Sequence, residues 1–171
     1  MKTRTIMIYG GISQEAAQDV SEKLVILSDE SDEDITIYLN SQGGHVEAGD
    51  TIFDMIRHVT PRVRIVGTGW VASAGALIYS APPTDCRFAL PNTRFMLHQP
   101  SGGVGGTASD VKIEVEELIK MRKRLNQIFA DQTGQSLERV TEDSDRNFWM
   151  TAQEAVDYGL AGKIVQSASE L

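Results

Sequence analysis

The sequence has 171 residues, 41% of them hydrophobic and 23% charged, which suits one folded domain with a substantial core and excludes a disordered or fibrous chain. Sixteen Lys and Arg against 24 Asp and Glu give a formal charge of -8, which argues against nucleic acid as a partner; the one basic tract, Lys120 to Arg124, has helical spacing and reads as a solvated face. The single cysteine, Cys86, excludes an internal disulfide, fits a reducing compartment and reads as a core thiol. No apolar run is long enough to span a membrane, and the chain enters a strand pattern by Ile6 with no room for a signal peptide, so the expected location is cytoplasmic.

In chain order, Arg4 to Tyr9 reads as a first strand ended by Gly10-Gly11, and Ser13 is placed to cap a helix with Ala16, Val20, Leu24 and Leu27 on one face. The acidic tract Asp29 to Asp34 reads as a solvated loop; the alternative, a metal site, lacks the glycine and distal glutamate of an EF-hand loop. Ile35 to Leu39 is a second strand, followed by Asn40-Ser41-Gln42-Gly43-Gly44 and a helix carrying Ala48, Ile52, Met55 and Ile56. The Gly43-Gly44 pair is either a simple left-handed turn or a point where backbone N–H groups face a ligand.

Arg62 to Val66 is a third strand, and the small-residue stretch Gly67 to Ala76 switches the period from strand to helix. It carries one hydroxyl, Ser73, at a helix start, where free N–H groups and the positive dipole end favour a developing oxyanion. A tight packing turn is the plainer reading, and a base decides between them. Two further strands, Cys86 to Leu90 and Thr93 to Leu97, lead to His98, at a strand end beside a glycine loop. A histidine there is either a hydrogen-bonded structural residue or a base at the sheet edge that holds Ser73. His45 is the alternative base; His58, before Pro61, reads as a surface residue near a helix C-terminus.

Thr107 to Gly134 is the longest helical pattern, with Thr107 and Asp110 resembling a capping box and Val111, Val115, Leu118, Leu125, Ile128 and Phe129 forming a stripe. At about 1.5 Å per residue it exceeds a domain of this size, so part of it should project toward a partner, most simply another copy of the chain. Asp143 to Met150 reads as a polar run in a loop, the only late source of groups able to orient a histidine. Thr151-Ala152-Gln153-Glu154 caps a short helix that ends at Gly159, and Lys163 to Val165 is a last strand. The strand-turn-helix unit recurs at roughly thirty residues, which predicts a layered α/β domain with crossovers rather than a solenoid.

Four motifs carry a resemblance. Gly-x-x-Ala-Ser-x-Gly-Ala at 69–76, Leu-Pro-Asn-Thr-Arg-Phe-Met-Leu-His-Gln-Pro-Ser-Gly-Gly at 90–103, Thr-Gly-Gln-Ser-Leu-Glu at 133–138 and Glu-Ala-Val-Asp-Tyr-Gly-Leu at 154–160 resemble, in order, the proteolytic subunits of the Clp ATP-dependent protease. The likeness runs from about Arg4 to Val165, within a single domain over 1–171. It implies a crotonase-like α/β fold with a projecting handle helix, heptameric rings stacked face to face, and a chamber fed with polypeptide by Clp-family ATPase unfoldases. It also implies that the chain binds no cofactor, ATP being used by the partner.

By resemblance, Ser73 is the nucleophile, His98 the general base, and the backbone N–H groups of Gly44 and Ala74 the oxyanion hole. His45, Val46, Gln99 and Pro100 fall on the peptide-binding segments, and Asp145-Arg146 on the contact between rings. The triad acid position is Asn147, not aspartate. Asparagine can accept from the imidazole but brings no charge, so the resemblance implies a competent but weakly driven triad, as in paralogues that work in mixed assemblies. Asp143 or Asp145 swinging in is the alternative. Two other departures are expected to matter: the family's N-terminal segment has no counterpart before the first strand, which bears on ATPase docking, and Gln42, His45 and Trp70 change the cleft. The competing readings are an inactive structural ring subunit, an acyl-thioester enzyme of the same fold, and a Ser-Lys peptidase; the first needs neither Ser73 nor His98, the second does not account for His98-Gln99-Pro100, and for the third no lysine has an apolar setting.

Overall fold

The computed structural model describes residues 3–171; Met1 and Lys2, on which the reading of the chain start partly rests, lie outside them. Strands β1 (Thr5–Ile12), β2 (Ile35–Gly44), β3 (Val63–Ala72), β4 (Arg87–Ala89) and β7 (Lys163–Ile164) pair in that order, all parallel. The helices α1 (Gln14–Glu30), α2 (Val46–His58) and α3 (Ala74–Tyr79) make the crossovers between the early strands. In β2 every second residue is buried, in β3 the run Ile65 to Gly67 is, and Ile35, Ile37, Leu39 and Ile65 are fully inside, facing the helices that cover the sheet.

Three strand ends differ from the sequence reading. β1 continues through Gly10-Gly11 to Ile12, β2 continues to Gly44, and β3 runs to Ala72 instead of stopping at Val66. Pairing explains all three: β1 and β2 stay in register from Thr5↔Thr36 to Ile12↔Gly44 with one irregularity, and tertiary pairing overrides the low strand preference of glycine. With its amide oriented to match its neighbours, Gln42 supports that irregularity, its nitrogen donating to the Gly10 carbonyl (3.2 Å) and its oxygen accepting from the Gly11 N–H (3.3 Å). The long β3 is the branch point of the sheet. Its first half pairs β4, while Trp70 to Ala72 pairs β5 (Arg94–Leu97), which pairs antiparallel with β6 (Phe148–Thr151).

Cys86 itself lies in a 3-10 turn before β4, buried, with the Arg62 Nε–H donating to its Sγ at 2.8 Å. Between α4 (Ala108–Thr133) and β6 stands a helix that the sequence does not predict, α5 (Leu137–Asp143), capped by Ser136. The last helix, α6 (Ala152–Tyr158), has the predicted Thr151–Glu154 capping box. The capping box of α4 is also present, Thr107 with Asp110, and its C-terminus is closed at Gly134. Of its 26 residues only Leu125, Asn126, Phe129 and Ala130 are buried, all in the C-terminal half. The N-terminal half leaves Ile113, Val115 and Ile119 exposed, so the helix projects as its length requires.

Candidate active site

Ser73 stands where β3 ends and α3 begins, with φ 57 and ψ -123, the only described non-glycine residue at positive φ. An L-residue held there costs about 1–3 kcal/mol, and such strain persists only when the surroundings over-determine it. They do so here: the Ser73 N–H donates to the Met96 carbonyl (2.9 Å), its carbonyl accepts from the Leu77 N–H (3.2 Å), and the end of β2 closes over it. A Cβ at Gly43 (φ 98) would lie 2.6 Å from the Ser73 Cβ and 3.0 Å from its Oγ, so only glycine permits this approach. Gly44 (φ 154) is confined in the same way by Ile12, whose carbonyl a Cβ would meet at 2.3 Å. The small-residue run around Ser73 is therefore the condition for bringing two strand ends against one hydroxyl.

His98 follows the end of β5, the strand paired with the last residues of β3, so the two chemistry-bearing ends are neighbours by sheet register. Its Nε2 lies 2.6 Å from the Ser73 Oγ. Burial holds the imidazole pKa below its ordinary value, and a hydrogen bond to the Asn147 side chain partly offsets this by favouring the charged ring. With Nε2 committed to Ser73, Nδ1 is the nitrogen left for the Asn147 side chain. A ring protonated on Nδ1 then presents a lone pair to the serine hydroxyl, which is the arrangement a general base needs.

The other expected residues fall as follows. His45 is exposed and its Nδ1 lies 3.3 Å from the Glu47 carboxylate, so the structure brings His98 and not His45 to Ser73. Val46 opens α2 half-buried, and Ala74, as the first residue of α3, has its N–H outside the intrahelical ladder. Gln99 is tied down: its N–H donates to the Ser144 carbonyl (2.6 Å) and its side-chain nitrogen to the Asp145 carbonyl (2.7 Å). Pro100 is buried, and 101–110 are all exposed. Asp145 accepts from Arg122 of α4 at 3.0 Å, while Arg146 is exposed with no ion-pair partner among the described residues. In the acidic tract, Asp34 pairs with Arg64, and Arg4 donates to the carbonyls of Leu27, Ser31 and Glu33. The sequence reading missed Asn126 and Ser144, both buried beside the turn that carries Asn147; a lone asparagine next to the apolar stripe of α4 was the available signal.

The family model for Clp protease matches residues 1–168. The chain belongs to the Clp protease family. It is 58% identical over 170 residues to ATP-dependent Clp protease proteolytic subunit 3 of Rhizobium etli, covering 99% of this chain and 88% of that protein. It is 50% identical to proteolytic subunit 2 of Pseudomonas aeruginosa, covering 100% of this chain and 85% of that protein. Among solved structures, ClpP1 from Listeria monocytogenes superposes with a TM-score of 0.90 at 52% identity, covering 98% and 94% of the two chains. An Asn-to-Asp mutant of that ClpP1 gives 0.92, also at 52% identity, covering 97% and 93%. The fold is thus that of ClpP, and the Clp protease chain is a serine peptidase by family. Among its described residues, no helix is long and apolar enough to cross a membrane.

Proposed function

We propose that this Clp protease chain cleaves peptide bonds with Ser73 as nucleophile, His98 as general base and Asn147 as the group that orients the imidazole. The carrying observation is the 2.6 Å contact between His98 Nε2 and Ser73 Oγ, made by the one strained serine of the chain. As Ser73 Oγ attacks the scissile carbonyl, its proton passes to Nε2; the ring then returns that proton to the leaving amine, and water repeats the sequence on the acyl-enzyme. The N–H groups of Gly44 and Ala74 are assigned to the oxyanion, which the close approach of Gly43, the residue before Gly44, to Ser73 supports. Extended substrate lies between His45-Val46 and Gln99-Pro100, with specificity altered by Gln42, His45 and Trp70.

The chain works in stacked heptameric rings, the exposed apolar residues in the projecting half of α4 supplying contact between rings, and Arg146, exposed and without an ion-pair partner among the described residues, adding a charge to it. Polypeptide is delivered by a Clp-family ATPase, so this chain needs no cofactor of its own. Asn147 supplies orientation without charge, so catalysis is slow until assembly holds the triad in line. Replacing Asn147 by Asp tests this reading. The carboxylate stabilises the imidazolium, and hydrolysis of a small peptide by the assembled protein should rise by about ten- to a hundredfold, less than the ~10⁴ separating Asp from Asn in chymotrypsin-type enzymes, where the amide selects the wrong tautomer. A rate that does not rise refutes the assigned role of Asn147.

A further inference from the structure

We infer that Asn126 is a positioning residue for proteolysis: through Ser144, its buried amide fixes both chain segments that carry His98 and Asn147. The inference rests on the proposed Ser73, His98 and Asn147 site and concerns what keeps it aligned.

Asn126 is 4% exposed, on a helix whose other buried residues, Leu125, Phe129 and Ala130, are apolar. A buried amide is unfavourable unless its donor and acceptor are both engaged, and here both are. Its Nδ2 donates to Thr141 Oγ1 (3.2 Å), and its Oδ1 accepts from Ser144 Oγ (3.0 Å). Ser144 is 1% exposed and has a second connection, its carbonyl accepting from the Gln99 N–H at 2.6 Å. Gln99 follows His98, so Ser144 pins the exit of β5. Asn147 lies on the same turn, which Gln99 also holds through the Asp145 carbonyl at 2.7 Å. The base and its orienting residue therefore share one anchor point, and that point is held from α4.

One helical turn before Asn126, Arg122 reaches the outer side of the same turn through Asp145, at 3.0 Å. The Asp145 side chain is 56% exposed, and ion pairs at such sites contribute little, so the buried Asn126–Ser144 contact is the one that sets alignment.

The test uses Ser144→Ala, Ser144→Thr and Asn126→Ala in the full-length assembled protein, assayed on a small peptide ester across pH. A displacement of about 1 Å can cost about 10²-fold in rate, so Ser144→Ala should lower kcat by about tenfold or more with little change in KM. It should also move the acid limb of kcat/KM to lower pH, because the imidazole loses the Asn147 bond that raises its pKa. Ser144→Thr keeps the hydroxyl and should restore both quantities. Should Asn126→Ala fail to fold, the Ser144 pair alone decides. A Ser144→Ala protein with wild-type kcat and an unmoved acid limb, whatever its melting temperature, overturns the inference. Wild-type protein whose Ser73 is not labelled by a fluorophosphonate overturns the site reading, and this inference with it.

Discussion

At Asn147 and His98 two opposing effects meet on one ring: burial lowers the imidazole pKa, and the asparagine hydrogen bond raises it by less. An aspartate in that place would add a full negative charge to the raising side. Two consequences follow for pH dependence. The acid limb of peptide hydrolysis should lie below the ordinary imidazole value of 6.5, since the proposed base is neutral His98, and in Asn147→Asp it should move upward, which a pH profile of kcat/KM reads directly. For stability the sign is the same as for any group whose folded pKa is depressed. The contribution of neutral His98 is complete above about 6.5 and is lost as pH falls through the folded-state value, because the unfolded chain takes the proton first. Denaturation midpoints that rise on acidification through this window would contradict the burial of His98.

Among the elements, the strand ends decide the site, and they were the part least legible in the sequence. Ser73, the capping boxes of α4 and α6 and much of the order of strands and helices could be read from periodicity and capping residues, while the choice of His98 as base over a structural histidine, and the role of Asn147, came only through the family motifs. The continuation of β2 through Gly43-Gly44 and of β3 through Gly69-Trp70 could not, because glycine has no strand preference and only pairing with β1 and β5 reveals it. The helix α5 and the strand β6 are too short for periodicity to register, at seven and four residues.

The base of α4 is fastened by another device that periodicity does not show. Arg87 is 1% exposed, and its guanidinium donates to the carbonyls of Pro82 (2.7 Å), Gln132 (2.8 Å) and Leu160 (3.3 Å) and to the side chain of Gln132 (2.9 Å). Burial brings its pKa down only to about 10, so it stays charged at neutral pH and joins β4, α4 and the end of α6. Arg87→Leu should cost about 3 kcal/mol or more, since each buried carbonyl left unpaired costs about 1–3 kcal/mol. Urea denaturation measures it, and a loss under about 1 kcal/mol would mean that the three carbonyls find other partners.

For the whole molecule, the sheet supplies the chemistry and the projecting half of α4 supplies a surface the single chain leaves uncovered. Ile113 and Ile119 are 57% and 48% exposed, which is unfavourable for a helix facing water and expected of one that meets another copy. In the proposed stacked assembly, Ile113→Glu combined with Ile119→Glu should shift sedimentation from double rings to single rings while leaving the fold intact by circular dichroism. An unchanged double ring would place the inter-ring contact elsewhere. Because α4 also holds the turn carrying Asn147, the same variant should slow peptide cleavage, linking assembly to the triad.

The proposed peptidase reading rests on a nucleophilic Ser73, and intact-protein mass spectrometry after fluorophosphonate treatment tests that most directly. The account predicts a single phosphonyl adduct, mapped to Ser73, forming in the full-length protein and faster in Asn147→Asp, and lost in His98→Ala. Assembled rings that take no adduct, or that take one at the same rate in His98→Ala, would contradict it.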